Sequence, residues 1–243
     1  VTDLSLPEEQ DKLVAAVAAA NPRTIVVLEN NGPVTMPWLD EVNAVVAAWY
    51  PGIRGGEAIA NVLFGKVNPS AKLTVTFPKS EADLPRTEVP GPPPKHFDVH
   101  YTEGLKVGYK WFDAEGIAPL FPFGFGLSYT TYSYADLKAT VDNNRARLSF
   151  RVTNTGERAG AEIAQVYAAL PAAANTPPKR LVAWAKVKLD PGETKTVTLM
   201  IDPFHLSIFD VDKNGWKLLP GDYVVLVGGS SRDTPLRETI RIE

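Results

Sequence analysis

The feature that most constrains the fold is a change of hydrophobic period part-way along the chain. From about Thr130 onward apolar residues alternate with polar ones, as in Leu148, Phe150 and Val152 and again in Val197, Leu199 and Ile201. A two-residue period puts every second side chain on one face of a strand. Turn signals interrupt these runs at Asn143-Asn144, Asn154-Thr155-Gly156, Pro191-Gly192, Asn214-Gly215 and Pro220-Gly221. Such patterning over about 110 residues predicts a sandwich of about seven strands. Tyr223, which opens the run Tyr223 to Val227, stands where a tyrosine corner would.

Residues 1–78 follow a different rule, in which helical and strand patterns alternate. Ser5 and Glu8 have capping-box spacing, and Pro7 suits a first helical turn. Leu6, Leu13, Val14 and Val17 predict the inward face of that helix, which Asn21-Pro22 ends. Thr24 to Leu28 and Ala44 to Trp49 are short apolar runs of the kind buried in a parallel sheet, with a short helix around Met36 to Glu41 between them. Gly55-Gly56 opens a further helix with Ile59, Val62 and Leu63 inward and Gly65 as its C′ residue. Leu73 to Phe77 reads as a strand that stops at Pro78. Strands alternating with helices imply crossover connections on a sheet covered on both faces.

Between them, residues 79–128 carry the proline run Pro90 to Pro94, which cannot form regular secondary structure. The same stretch is dense in aromatics: Tyr101, Tyr109, Trp111, Phe112, Phe121, Phe123 and Phe125. So much apolar area predicts an ordered connecting segment rather than a free linker. The fold class expected is therefore α/β followed by all-β. Its domains are 1–80, a partial α/β sandwich with a mostly parallel sheet; 81–128, the aromatic bridge; and 129–243, a β-sandwich.

Composition narrows the function classes. With 25 basic and 28 acidic residues the net charge is −3, which gives no footprint for nucleic acid or an anionic membrane. No apolar run approaches the ~20 residues of a membrane helix. The chain has no cysteine, which excludes a disulfide framework, a thiolate zinc site and a thiol nucleophile, and favours the fibronectin variety of sandwich. No Ser lies in a G-x-S-x-G elbow.

Few residues invite chemistry. His96 and His100 are four apart, near Asp98 and Glu103, a spacing that converges on a metal only in a helix. Pro92 to Pro94 and Val99 argue against a helix there, so solvent-facing histidines are the default. Glycoside hydrolysis needs two carboxyl groups flanking the bond, with aromatic surface nearby, and Glu103, Asp113 and Glu115 lie among aromatics. The plainer reading is surface and turn carboxylates beside packing anchors. Gly52, Gly55 and Gly56 lack phosphate-loop spacing and predict a tight turn into a helix. Trp38, Trp49, Trp184 and Trp216 sit in apolar contexts and predict packing roles.

Several segments together carry a resemblance. DLSLPEEQDKLVAAVAAANPRTIVVLENNGPVTMPW (Asp3 to Trp38) and AWYPGIRGGEAIANVLFGKVNPSAKLTVTFPKS (Ala48 to Ser80) resemble the C-terminal α/β domain of glycoside hydrolase family 3. YTEGLKVGYKWFD (Tyr101 to Asp113) and PLFPFGFGLSYTTY (Pro119 to Tyr132) are similar to that family's bridge into a fibronectin type III-like domain. WKLLPGDYVVLVGGSSRD (Trp216 to Asp233) resembles that domain's penultimate strand and the turn after it.

The resemblance implies a retaining β-glycosidase of the β-glucosidase type, acting on terminal β-linked sugars of short oligosaccharides or glucosides without a cofactor. It also implies that the nucleophilic Asp lies in an N-terminal barrel, and that the acid/base Glu lies just before the segment that begins at Asp3. No catalytic residue then falls on this chain, no substrate-binding residue is assignable in it, and no metal is implied. Lys95-His96-Phe97 imitates a barrel Lys-His pair in letters only. The expected partner is a barrel-containing N-terminal polypeptide of the same enzyme, separated from Val1 by nicking, a split gene or truncation. A homo-oligomer of the assembled enzyme is compatible with this; nucleic acid and membrane partners are not expected. The expected location is secreted or periplasmic, with the cytoplasm still open. The alternative is a non-catalytic module that binds carbohydrate or protein.

Overall fold

A computed structural model describes residues 3–86, 98 and 100–243. They form two compact units: Val1–Val67, Val75–Glu103 and Ala118–Phe121 in the first, and Asn68–Thr74, Gly104–Ile117 and Pro122–Glu243 in the second.

In the first unit, helix α1 (Gln10–Ala20) leads to strand β1 (Ile25–Leu28), and a crossover containing a 3-10 turn at Leu39–Glu41 leads to β2 (Ala44–Ala47) and helix α2 (Gly55–Leu63). β1 and β2 pair in parallel, Ile25 against Ala44 through Leu28 against Ala47. Asn21 ends α1 by donating its backbone N–H to the Val17 carbonyl, and Gly65 follows α2 at φ +70°. The start of α1 differs from the expected capping box. Ser5 binds Asp3 instead, Glu8 takes a left-handed φ, and the helix begins at Gln10 with no side-chain cap. The face turned inward also differs: Asp11, Val14, Ala15 and Ala18 are its more buried positions, while Leu13 and Val17 are exposed. The buried indole of Trp38 decides that orientation by donating to Asp11 Oδ1 at 2.6 Å. On α2, Ile59 and Val62 are half-buried and Leu63 is exposed.

Leu73 to Phe77 is no sheet strand: the chain bends at Thr74 and Val75, and Phe77 makes a single bridge to Phe121. Its backbone groups are satisfied by the aromatic segment: Leu73 donates to Phe125 O at 2.7 Å in the second unit, and Phe77 donates to Phe121 O at 2.9 Å in the first.

The second unit is the β-sandwich. One sheet orders Leu236–Ile242, Gly221–Gly228, Gly160–Ala169 and Arg180–Leu189, and the other Tyr132–Asp142, Arg145–Asn154 and Thr194–Ile201. The strands are β3 (Tyr132–Asp142), β4 (Arg145–Asn154), β5 (Gly160–Ala169), β6 (Arg180–Leu189), β7 (Thr194–Ile201), β10 (Gly221–Gly228) and β11 (Leu236–Ile242), seven as the spacing of turns predicts. Helix α3 (Tyr109–Ala114) precedes them; a short helix α4 (Pro203–Leu206) and a hairpin of β8 (Ile208–Asp210) and β9 (Gly215–Lys217) lie between β7 and β10. Asn143 and Asn144 both have positive φ and form the two-residue turn that sets Asp142 opposite Arg145. Leu148, Phe150 and Val152 from β4, Val197 and Ile201 from β7, and Val166, Val225 and Val227 from the facing sheet are all buried. Each such side chain stabilises the core by about 1.5–3 kcal/mol. The Tyr223 hydroxyl donates to Leu219 O at 2.8 Å, which makes the tyrosine corner.

Candidate functional site

The carboxylates singled out from the sequence are committed to ion pairs. Asp113, on α3, is almost fully buried, with Oδ1 2.8 Å from Arg232 Nε and Oδ2 2.6 Å from Lys179 Nζ. Arg232 also donates to the carbonyls of Phe112 and Ile117, which close the turn after α3. Glu115 pairs with Lys106 on the surface at 2.7 Å. In the first unit Glu103 is buried and pairs with Arg86 at 3.3 Å, with Arg86 also over the Tyr101 ring. A carboxylate held between two cations holds a helix in place.

Other candidates resolve similarly. His96, Lys95, Phe97 and the run Pro90 to Pro94 lie outside the described residues. Asp98 and His100 are exposed, and no group that could hold a metal occurs among the described residues. Gly52 has φ +73° and accepts from Gly55 N; a Cβ at Gly55 would meet Pro51 Cγ at 2.6 Å. These glycines therefore make a tight turn into α2.

A buried polar network holds part of the aromatic segment within the second unit. Gln165 Nε2 donates to the carbonyls of Gly124 (3.0 Å) and Gly229 (2.6 Å), and the Tyr167 hydroxyl donates to its Oε1. Glu162 accepts from the Tyr134 hydroxyl at 2.8 Å and pairs with Lys72, whose ammonium also donates to Gly126 O. The Tyr109 hydroxyl accepts from Leu181 N, with its ring stacked on Phe123. Burial pushes the phenols of Tyr134 and Tyr167 well above the usual tyrosine range, and the Glu162 charge adds to the shift at Tyr134.

Two features do look outward. In the first unit the parallel sheet has two strands among the described residues, so each strand keeps an unpaired edge. Leu13 and Val17 on α1, Ile25 on β1, and Ile53 and Phe64 at the ends of α2 are exposed, Phe64 to 83%. In the second unit Trp184 and Trp216 correct their expected packing roles, being 62% and 55% exposed. Trp216 lies with Phe204 and Phe209 in an exposed aromatic cluster that alternation alone did not reveal. The short spacing of Phe209 and Trp216 across the Asn214-Gly215 turn is the signal that could have found it.

Residues 1–129 match the model of the glycosyl hydrolase family 3 C-terminal domain, and residues 162–231 that of a fibronectin type III-like domain. The chain belongs to glycosyl hydrolase family 3. Relatives of this family 3 chain include the thermostable β-glucosidase B of Acetivibrio thermocellus, 42% identical over 99% of the chain and 32% of that protein. β-Glucosidase B of Emericella nidulans is 46% identical over 96% of the chain and 29% of its own length. Among solved structures, DesR, a β-glucosidase from Streptomyces venezuelae in complex with D-glucose, is 41% identical with a TM-score of 0.88, over 99% of this chain and 31% of that one. The Trichoderma reesei β-D-glucoside glucohydrolase is 33% identical with a TM-score of 0.91, over 99% and 36% respectively. The family 3 chain thus spans about a third of the length of the relatives it matches. Its architecture is the family's α/β part followed by a fibronectin-like sandwich.

Proposed function

We propose that this chain is the C-terminal portion of a retaining β-glucosidase. The enzyme removes terminal β-linked sugar from short oligosaccharides or glucosides, and its reacting carboxyl groups are carried by an N-terminal, barrel-containing part. In that mechanism one carboxylate attacks the anomeric carbon while a second carboxyl group protonates the leaving oxygen. The reaction needs no cofactor, and no residue of this chain is assigned to either step.

The observation that carries the reading is the open sheet of the first unit. A two-stranded parallel sheet with exposed Leu13, Val17, Ile25 and Phe64 is less than a covered α/β domain requires. Relatives named β-glucosidase are about three times as long, which supports a preceding part that completes the sheet. The chain's task is then to complete that sheet, with residues 1–80 as the second half of the α/β domain, 81–128 as the bridge and 129–243 as the sandwich. No helix among the described residues is long and apolar enough to cross a membrane. A secreted or periplasmic enzyme is the setting we propose.

The test is association. The N-terminal two-thirds of the Acetivibrio thermocellus relative, mixed with this chain, should form a complex by sedimentation and abolish binding of an apolar dye. Leu13→Glu with Phe64→Glu should prevent both effects. Failure of the unsubstituted chain to associate, with no dye binding to it alone, would remove the basis of the proposal.

A further inference from the structure

Two Asn-Gly pairs occur in the chain, Asn31-Gly32 and Asn214-Gly215. Glycine carries no Cβ, so its amide nitrogen can approach the carboxamide carbon of the asparagine before it. Bond formation there expels the side-chain nitrogen and closes a cyclic imide. Both asparagines are exposed, so exposure does not choose between the pairs. Backbone restraint does. Asn214 is held at φ +47°, its N–H donates to Val211 O at 3.2 Å, and Gly215 stands in register with Asp210 on the β8–β9 hairpin. That turn and ladder fix the peptide that would have to swing.

The first pair is not restrained in that way. Neither the Asn31 side chain nor the Gly32 N–H makes a hydrogen bond among the described residues. The space where a Gly32 Cβ would stand is empty to 4 Å. Asn30 Nδ2 donates to Gly32 O, a bond on the carbonyl of Gly32 rather than on its reacting nitrogen. With so little hydrogen bonding, such a loop opens without unfolding the unit around it. We infer that Asn31 is a deamidation site, converted in the folded chain by water while Asn214 is spared. A bond forms from Gly32 N to Asn31 Cγ, the Cγ–Nδ2 bond breaks, and the Gly32 amide proton leaves with that nitrogen as ammonia. Water then opens the imide at either carbonyl, which gives aspartate or an isoaspartyl link. Both products put a new carboxylate just after β1, and the isoaspartyl form adds a backbone methylene beside the Asn30–Gly32 bond.

Ageing the intact chain in mildly alkaline buffer, followed by peptide mapping with mass detection and an enzymatic isoaspartate assay, tests this. The Asn31 peptide should gain acid and isoaspartate several-fold faster than the Asn214 peptide. In denaturant the two rates should converge, since only local sequence then acts. Gly32→Ala stands at a position with no positive φ and with free space for the methyl group. It should keep the melting temperature and slow the conversion of Asn31 several-fold. Equal or faster conversion of Asn214 in the folded chain, an Asn31 peptide that converts only in denaturant, or an unchanged rate in Gly32→Ala would each overturn the site.

Discussion

Asp113 illustrates how surroundings decide what a carboxylate does. Sequence placed it among aromatics in an Asp-Ala-Glu-Gly stretch, where either a turn or a catalytic acid was conceivable. The two cations that face it, Lys179 and Arg232, lie 66 and 119 residues away in the chain, and no local pattern announces them. Breaking a mostly buried pair by removing one partner strands the other, so Asp113→Ala should destabilise the second unit by about 3–5 kcal/mol in a denaturant titration. An effect below 1 kcal/mol, on the scale of surface pairs, would contradict the burial. The tyrosines make a second residue-scale prediction. Burial raises the phenols of Tyr109, Tyr132, Tyr134, Tyr167 and Tyr223. The folded state therefore keeps protons that the unfolded chain releases above about pH 10, and stability present below that pH is lost as pH rises through it. Tyrosinate absorbance from these residues should appear together with unfolding, and Tyr134→Phe should flatten the alkaline slope. Ordinary titration while the sandwich remains folded would refute the assignment.

Elements were legible where the local code and the tertiary environment agree. The strands of the sandwich, the Asn143-Asn144 turn and the Tyr223 corner follow from alternation and turn chemistry, and they form as expected. Leu73 to Phe77 shows the opposite case. Its β-branched residues favour extension, but extension does not name a partner, and its partners are Phe125 and Phe121 rather than a sheet. Spacing alone turns Leu13 and Val17 of α1 inward, whereas the indole of Trp38 and its bond to Asp11 set a rotation that leaves both exposed. The approach of Gly124 to Gln165 is likewise invisible in sequence. Gly124 has φ +80°, and a Cβ there would lie 2.0 Å from Gln165 Oε1. Gly124→Ala should lower the melting temperature and free the Gln165 amide for solvent exchange; an unchanged melt would contradict the close approach.

At the scale of the molecule, the two units differ in how far each satisfies itself. The sandwich buries the inner faces of its two sheets against each other in one apolar core, as a self-sufficient domain does. The first unit keeps apolar side chains in water and strand edges unpaired. Sequence could read the family, the order of its segments and an open sheet, but which side chains that sheet leaves exposed, Leu13 and Val17 among them, could be seen only once the chain was folded. The same contrast predicts thermal behaviour: the sandwich should melt cooperatively at the higher temperature, and the first unit should rise toward it only when the N-terminal part proposed above is bound. Most direct of all is turnover of a chromogenic β-glucoside by this chain, by the N-terminal part of a family relative, and by the two mixed. Hydrolysis is expected from the mixture alone, saturating at one chain per N-terminal part; hydrolysis by this chain alone, or none by a mixture shown to associate, would contradict its assignment as the C-terminal portion of a β-glucosidase.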